Sequence, residues 1–290
     1  MRKFTLEACQ SVQKLIDRKA VDHWALFDSP SELGEYAKQN CMASDNMTRR
    51  SYDFFGTDTG LQAVKKTREG DIALVAKSDA LLERFERFAF DTSCKGWADD
   101  VAGAIPNVPA YLAGHPNAMR RRVTYRDAGA PLAVIVDLTT SCSITADAIE
   151  RRGAAVMALV RLLAMKRPVE LWAGVMVDAN TRKDCAAVFT KIETAPLDLA
   201  TAAYVLTSAS FPRRLCYAYA DTRHYYSGSW PYNNHKATRQ LLADICKPAF
   251  HHVTEALCIP AIHVEDQIAN DPEGWIEAKL AELTPVDLAA

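Results

Sequence analysis

The chain has 290 residues, 49% hydrophobic and 24% charged, a globular composition long enough to bury a sizeable core in one large or two small domains. No apolar run approaches the roughly 18 residues of a membrane span, and Met1-Arg2-Lys3-Phe4 opens an amphipathic segment rather than a signal peptide, so no membrane partner and a cytoplasmic location are expected. The net charge of −2 argues at first against a polyanion partner, but residues 264–290 hold seven Asp/Glu against one Lys, which leaves residues 1–263 at +4.

In chain order, the first hundred residues read mainly as helix: 6–20, 31–39 behind Ser29-Pro30, 60–68, and 71–90, with Ser-, Asn- and Asp-rich loops between them. Residues 103–116 carry three prolines and two glycines and form the best boundary. This divides the chain into a mainly helical N-terminal region (1–105), a core (106–263) and an acidic C-terminal helix or tail (264–290). In the core, 123–126 and 132–137 flank a hairpin-like turn at Asp127-Ala128-Gly129, and 132–136 is apolar throughout, as a strand covered on both faces would be. A helix over 145–165, strands over 169–177 and 185–192, a helix over 197–208, a strand over 215–220, a helix over 235–246 and a strand over 259–264 follow. That alternation predicts an α/β fold: an open, doubly wound sheet with helices on both faces. At the end, Ile268, Trp275, Ile276, Leu280 and Leu283 recur at helical spacing and predict a terminal helix docked on the core; the other reading is a free acidic tail that competes with nucleic acid.

The eight cysteines are scattered without a Cys-x-x-Cys pair and read as reduced, mostly buried thiols. His251, His252 and His263 lack the spacing of zinc motifs. Phosphate-loop, dinucleotide-binding, nucleophile-elbow and His-Glu-x-x-His patterns are missing too, so a non-enzymatic role is expected over an enzyme working through Asp137 and Asp178.

The segment 211–239 stands out. Five of the ten tyrosines fall between Tyr217 and Tyr232, and five Lys/Arg oppose only Asp221. Aromatic faces stack unpaired bases and arginines hold phosphates, so this pattern predicts single-stranded nucleic-acid contact. The candidates are Arg213, Arg214, Arg223, Tyr225, Tyr226, Trp230, Tyr232, Lys236 and Arg239, joined by Arg120, Arg121, Arg122 and Arg126 at the entry to the core. Arg49 and Arg50 with Tyr52, Phe54 and Phe55 form a third such segment, in which the phenylalanines read as core. Tyr217 and Tyr219, alternating with Cys216 and Ala218, also read as core on a buried strand. Arg213 and Arg214 have a second reading as neutralisers of a helix C-terminus, and the Arg120 triplet as a solvated edge.

Two resemblances add to this. The strand 134–137, followed by Leu138-Thr139-Thr140-Ser141, a helix and a second strand, resembles the von Willebrand factor A domain over about residues 130–265. That family places Asp-x-Ser-x-Ser at this strand end to hold a divalent cation, commonly magnesium, and the resemblance implies Asp137, Thr139 and Ser141 as its ligands. The family's more distant threonine has only a loose counterpart in Thr194. Residues 103–119 ahead of an Asp-Leu-Thr strand, and the chain as a whole, are similar to proteins of lytic bacterial viruses. These include single-stranded-DNA-binding cofactors of a virus-encoded RNA polymerase (Drc type). This resemblance implies transcription or replication as the setting, with single-stranded DNA and the polymerase as partners, in the infected host and with room for a homo-oligomer. It carries over no contact residue. The alternative function is a metal-dependent interaction module.

Overall fold

The apolar run from Leu132 to Val136 lacks alternation because both of its faces are covered, and all six residues of that strand are buried. The computed structural model describes residues 2–4, 21–85, 93–126, 131–141, 143–165, 167–178, 185–222, 255–261 and 267–283. The described strands are β1 (Arg2–Phe4), β2 (Val21–Phe27), β3 (Ser93–Asp100), β4 (Ile105–Pro106), β5 (Met119–Arg126), β6 (Leu132–Asp137), β7 (Val169–Asp178), β8 (Cys185–Ile192) and β9 (Glu255–Ile259). Six of them form one sheet in the order β1-β2-β8-β7-β6-β9, and the other three a small sheet in the order β3-β5-β4. In the large sheet β2/β8, β7/β6 and β6/β9 run parallel, whereas β1/β2 and β7/β8 are antiparallel. The chain is thus an α/β protein with a doubly wound, mostly parallel sheet flanked by helices.

Register explains the core. Phe27 sits opposite Thr190, Thr190 opposite Ala173, Ala173 opposite Val136, and Val136 opposite Ile259. All five are buried, so one face of the sheet presents a continuous row to the helices. The opposite face, with Ile135, Met176 and Phe189, is buried as well.

The helices start where their caps dictate. The Ser29 side chain accepts from Glu32 N to open α1 (Pro30–Asn40). After the four-residue helices α2 (Asp45–Thr48) and α3 (Tyr52–Phe55), a capping box between Thr59 and Gln62 opens α4 (Gly60–Glu69). A 3₁₀ turn (Ile72–Leu74) leads into α5 (Val75–Phe85), and a short α6 (Val108–Leu112) lies between β4 and β5. Thr145 caps α7 (Ala146–Ala164), which is buried through most of its middle and packs on α5, on α8 (Leu199–Thr207) and on the terminal pair α10 (Gln267–Asn270) and α11 (Pro272–Leu283). Gly153 permits the α7–α8 crossing, since a Cβ there would stand 2.2 Å from the Leu206 carbonyl oxygen. Trp275, Ile276 and Leu280 are buried, so the acidic C-terminal segment is docked through α11, as its periodicity predicts.

Several sequence expectations change. The strand β2 comes from the N-terminal region read as mainly helical, and it joins the large sheet beside β8. Residues 123–126 and 132–137 do not form a hairpin: β5 belongs to the small sheet and β6 to the large one. The strand read over 215–220 is helical, a π-turn from Phe211 to Cys216 that runs into α9 (Tyr217–Thr222). The last described strand occupies Glu255–Ile259, with Pro260 and Ala261 outside it, and residues 262–264 of the strand read over 259–264 lie outside the described residues. The helices read over 6–20 and 235–246 lie outside the described residues.

Candidate nucleic-acid interface

The small sheet carries the first candidates. In the antiparallel β3/β5 pair, Arg122 is opposite Trp97 and Arg120 opposite Asp99, two positions apart and therefore on one face. Lys95 and Arg126 occupy register positions of the same parity. The Arg122 guanidinium lies 5.7 Å from the centroid of the Trp97 ring, which is 46% exposed. Arg120 Nε meets Asp99 Oδ1 at 3.2 Å, and Arg121 Nε meets Asp100 Oδ2 at 2.5 Å. Both pairs are open to solvent, where an ion pair is worth only about 0–1 kcal/mol, so a phosphate can compete for either arginine. Residues 93–126 hold five Lys/Arg against two Asp. Gly103 lies against β5, where a Cβ would meet the Arg120 carbonyl at 2.2 Å, and beyond it Tyr111 and Leu112 on α6 are 73% and 79% exposed. A cationic, aromatic sheet with an open face is suited to backbone neutralisation and base stacking. Trp97 was not singled out from sequence; the signal was there in Lys95-x-Trp97-x-Asp99, the alternation of a strand.

Arg213 and Arg214 must be withdrawn as DNA contacts. Both are fully buried in the π-turn. Arg213 donates to the carbonyls of Phe54 (2.8 Å), Ser141 (3.1 Å) and Ile144 (2.8 Å), and Arg214 to those of Asn46 (2.9 Å), Arg49 (3.1 Å) and Thr57 (2.7 Å) and to Thr57 Oγ1 (2.9 Å). Each guanidinium also stacks 4.1 Å from a ring centroid, Arg213 on Phe54 and Arg214 on Phe55. Charge-assisted bonds to carbonyls offset the cost of taking these cations out of water. Tyr217 and Tyr219 are core residues as expected, on a helix rather than a strand. Tyr217 Oη accepts from Thr140 N and donates to Thr140 O, both at 3.2 Å, and burial pushes its pKa up to about 12.

The same pair of arginines ties two loops together. Ser141 follows β6 at the point where the sheet order reverses, with β7 on one side and β9 on the other, which is where doubly wound folds bind ligands. The expected cation ligands do not open toward one another there. Asp137 and Thr139 are fully buried. Asp137 Oδ1 accepts from both the amide (2.9 Å) and the hydroxyl of Thr139, and that hydroxyl accepts in turn from Met176 N at 3.0 Å. Ser141 Oγ is bonded to Ser143 Oγ at 3.0 Å. Asp137 Oδ2 and, close by in the chain, Thr140 Oγ1 are buried without a hydrogen-bond partner among the described residues. Burial raises the Asp137 pKa to about 6, against the opposing pull of Thr139 and the Arg152 charge. A hydroxyl committed to the neighbouring carboxylate does not fit the magnesium site implied by the von Willebrand resemblance. The described residues also contain no cluster of three His, Cys, Asp or Glu suited to a metal.

On the other loop, Arg50, Ser51, Tyr52, Asp58 and Thr59 line a cavity of about 480 Å³. Arg49, Arg50 and Tyr52 are exposed, whereas Phe55 is buried in line with its core reading and Phe54 is half-buried. Arg223, Tyr225, Tyr226, Trp230, Tyr232, Lys236 and Arg239 lie outside the described residues, and Arg126 is described only as a position in β5. No helix of the described residues is long and apolar enough to cross a membrane. Residues 11–284 match a family described as a domain of unknown function, DUF7192. No curated protein and no solved structure matches the chain.

Proposed function

The chain belongs to the DUF7192 family, and we propose that it is a non-enzymatic protein that binds single-stranded DNA along the β3/β5 face of its small sheet. The observation that carries this reading is the pairing of Arg122 with Trp97 and of Arg120 with Asp99 on one open face, which sets cations at a stacking platform. Phosphates engage Arg120 and Arg122, with Arg121 on the reverse side, while bases stack on Trp97. Stacking discriminates by strandedness, because a paired base offers no free ring face. The resemblance to cofactors of lytic bacterial viruses supplies the setting: a virus-encoded RNA polymerase recruited to opened promoters, or replication, in the cytoplasm of the infected host.

Fluorescence anisotropy with a labelled oligonucleotide, single-stranded or annealed, tests the reading. The single strand binds more tightly, without magnesium, and Trp97→Ala weakens binding by about 1–3 kcal/mol. Arg122→Ala weakens it as well. Equal affinity for the duplex, or full binding by both variants, rules the assignment out.

A further inference from the structure

We propose that the cavity lined by Arg50, Ser51, Tyr52, Asp58 and Thr59 is a nucleotide site that takes one nucleoside monophosphate, with its base on Tyr52 and its phosphate on Arg50. The cavity is an open depression rather than an enclosed pocket, and its volume of about 480 Å³ falls within the range of small-ligand sites, roughly 300–1,000 Å³. The lining supplies the complementary chemistry. Arg50 is exposed, leaving a guanidinium fork for phosphate oxygens. Tyr52 is 63% exposed and presents a ring for stacking. Ser51 stands at the N-cap of α3, where its side chain makes no cap hydrogen bond. Thr59 is committed to the α4 capping box and forms wall only. Asp58 is an exposed carboxylate whose own amide is bonded to Gln62 Oε1 at 2.9 Å. A carboxylate beside a stacked base selects for adjacent N–H donors, which guanine has on its Watson–Crick edge.

The second line of argument is rigidity. Arg214 holds the carbonyls of Asn46, Arg49 and Thr57, and Arg213 that of Phe54, so the backbone is pinned before and within the lining segment. Two desolvated guanidinia thus hold the backbone of this surface loop in place, a part of the preorganisation that a ligand site requires. This site does not depend on the small sheet, and its ligand is a free nucleotide or one unit of a bound strand.

Calorimetric titration of the full chain with dGMP, dTMP, deoxyguanosine and inorganic phosphate tests it. dGMP binds saturably, and deoxyguanosine and phosphate are each weaker by about tenfold or more, since each lacks half of the contacts. Arg50→Gln and Tyr52→Ala abolish the signal, and Asp58→Asn removes the preference for dGMP over dTMP. Trp97→Ala retains dGMP binding, which separates this site from the sheet. Displacement of a labelled oligonucleotide by dGMP identifies a unit of the strand as the ligand, and binding without displacement identifies the free nucleotide; either supports the site. No saturable dGMP binding, or binding unchanged in both Arg50→Gln and Tyr52→Ala, overturns it.

Discussion

Asp137 ends β6 with one oxygen bound twice by Thr139 and the other buried without a partner among the described residues. Its pKa in the fold, about 6, lies above the ordinary value of 3.8. Folding therefore favours the protonated form. The contribution is fully present below the unfolded pKa and is lost as pH rises through the folded one, amounting to about 3 kcal/mol at neutral pH. Asp137→Asn keeps an acceptor for Thr139 and removes the charge. The variant is expected to unfold at higher urea than the parent near pH 8, with the difference shrinking toward about pH 4. A variant less stable than the parent near pH 8 would show that the carboxylate is held by a group outside the described residues. Chemistry-bearing residues were legible by type but not by burial: Asp-x-Thr-x-Ser was visible, whereas nothing local in Arg213-Arg214 shows that the carbonyls of two distant loops await them. An arginine pair reads as surface until the partners that neutralise its desolvation are known.

At the scale of elements, legibility followed burial pattern. The segments α1, α4 and α7 were legible as helices, α1 with its start marked by Ser29-Pro30, and the structure adds the caps at Thr59 and Thr145. The segment 215–220 was not legible, because every residue in it is buried, and an element apolar on all sides has no period to read. The alternation of Cys216, Tyr217, Ala218 and Tyr219 is therefore no mark of a strand; Tyr219 instead closes a triad with Phe27 (5.8 Å) and Tyr36 (5.1 Å). The β3/β5 pairing was hidden for another reason, since it joins residues from both sides of the 103–116 boundary. The α7–α8 crossing yields a prediction about these elements. Gly153→Ala puts a methyl group against the Leu206 backbone, where neither helix can yield through a side chain alone. An overpacking cost of about 1–3 kcal/mol is expected, read as a lowered thermal midpoint with oligonucleotide affinity per folded molecule unchanged. An unaltered midpoint would mean that the helices separate without penalty.

Across the whole molecule, the net charge of −2 gives the wrong impression of the field a nucleic acid meets. Part of the acidic C-terminal segment belongs to α11, which is docked on α7, and Glu273 there pairs with Arg84. Within the described residues Glu273 is thereby tied to the body, and the helix that carries it is docked on the core. Beyond about 8–10 Å such charges are screened at ordinary salt, so the local cations of β3 and β5 govern binding. Two or three of them, Arg120 and Arg122 on one face with Arg121 on the reverse, set the number of phosphates neutralised under the proposed reading. For single strands each neutralised phosphate contributes about −0.7 to the slope of log affinity against log salt, which predicts a slope of about −1.4 to −2. Arg122→Ala should reduce that slope by about 0.7, while Trp97→Ala lowers affinity at every salt concentration and leaves the slope unchanged, because stacking releases no counterions. Anisotropy titrations of the parent and both variants across a salt series resolve the two signatures. A parent slope near zero would remove phosphate neutralisation from the sheet, whatever affinity is measured at a single salt concentration.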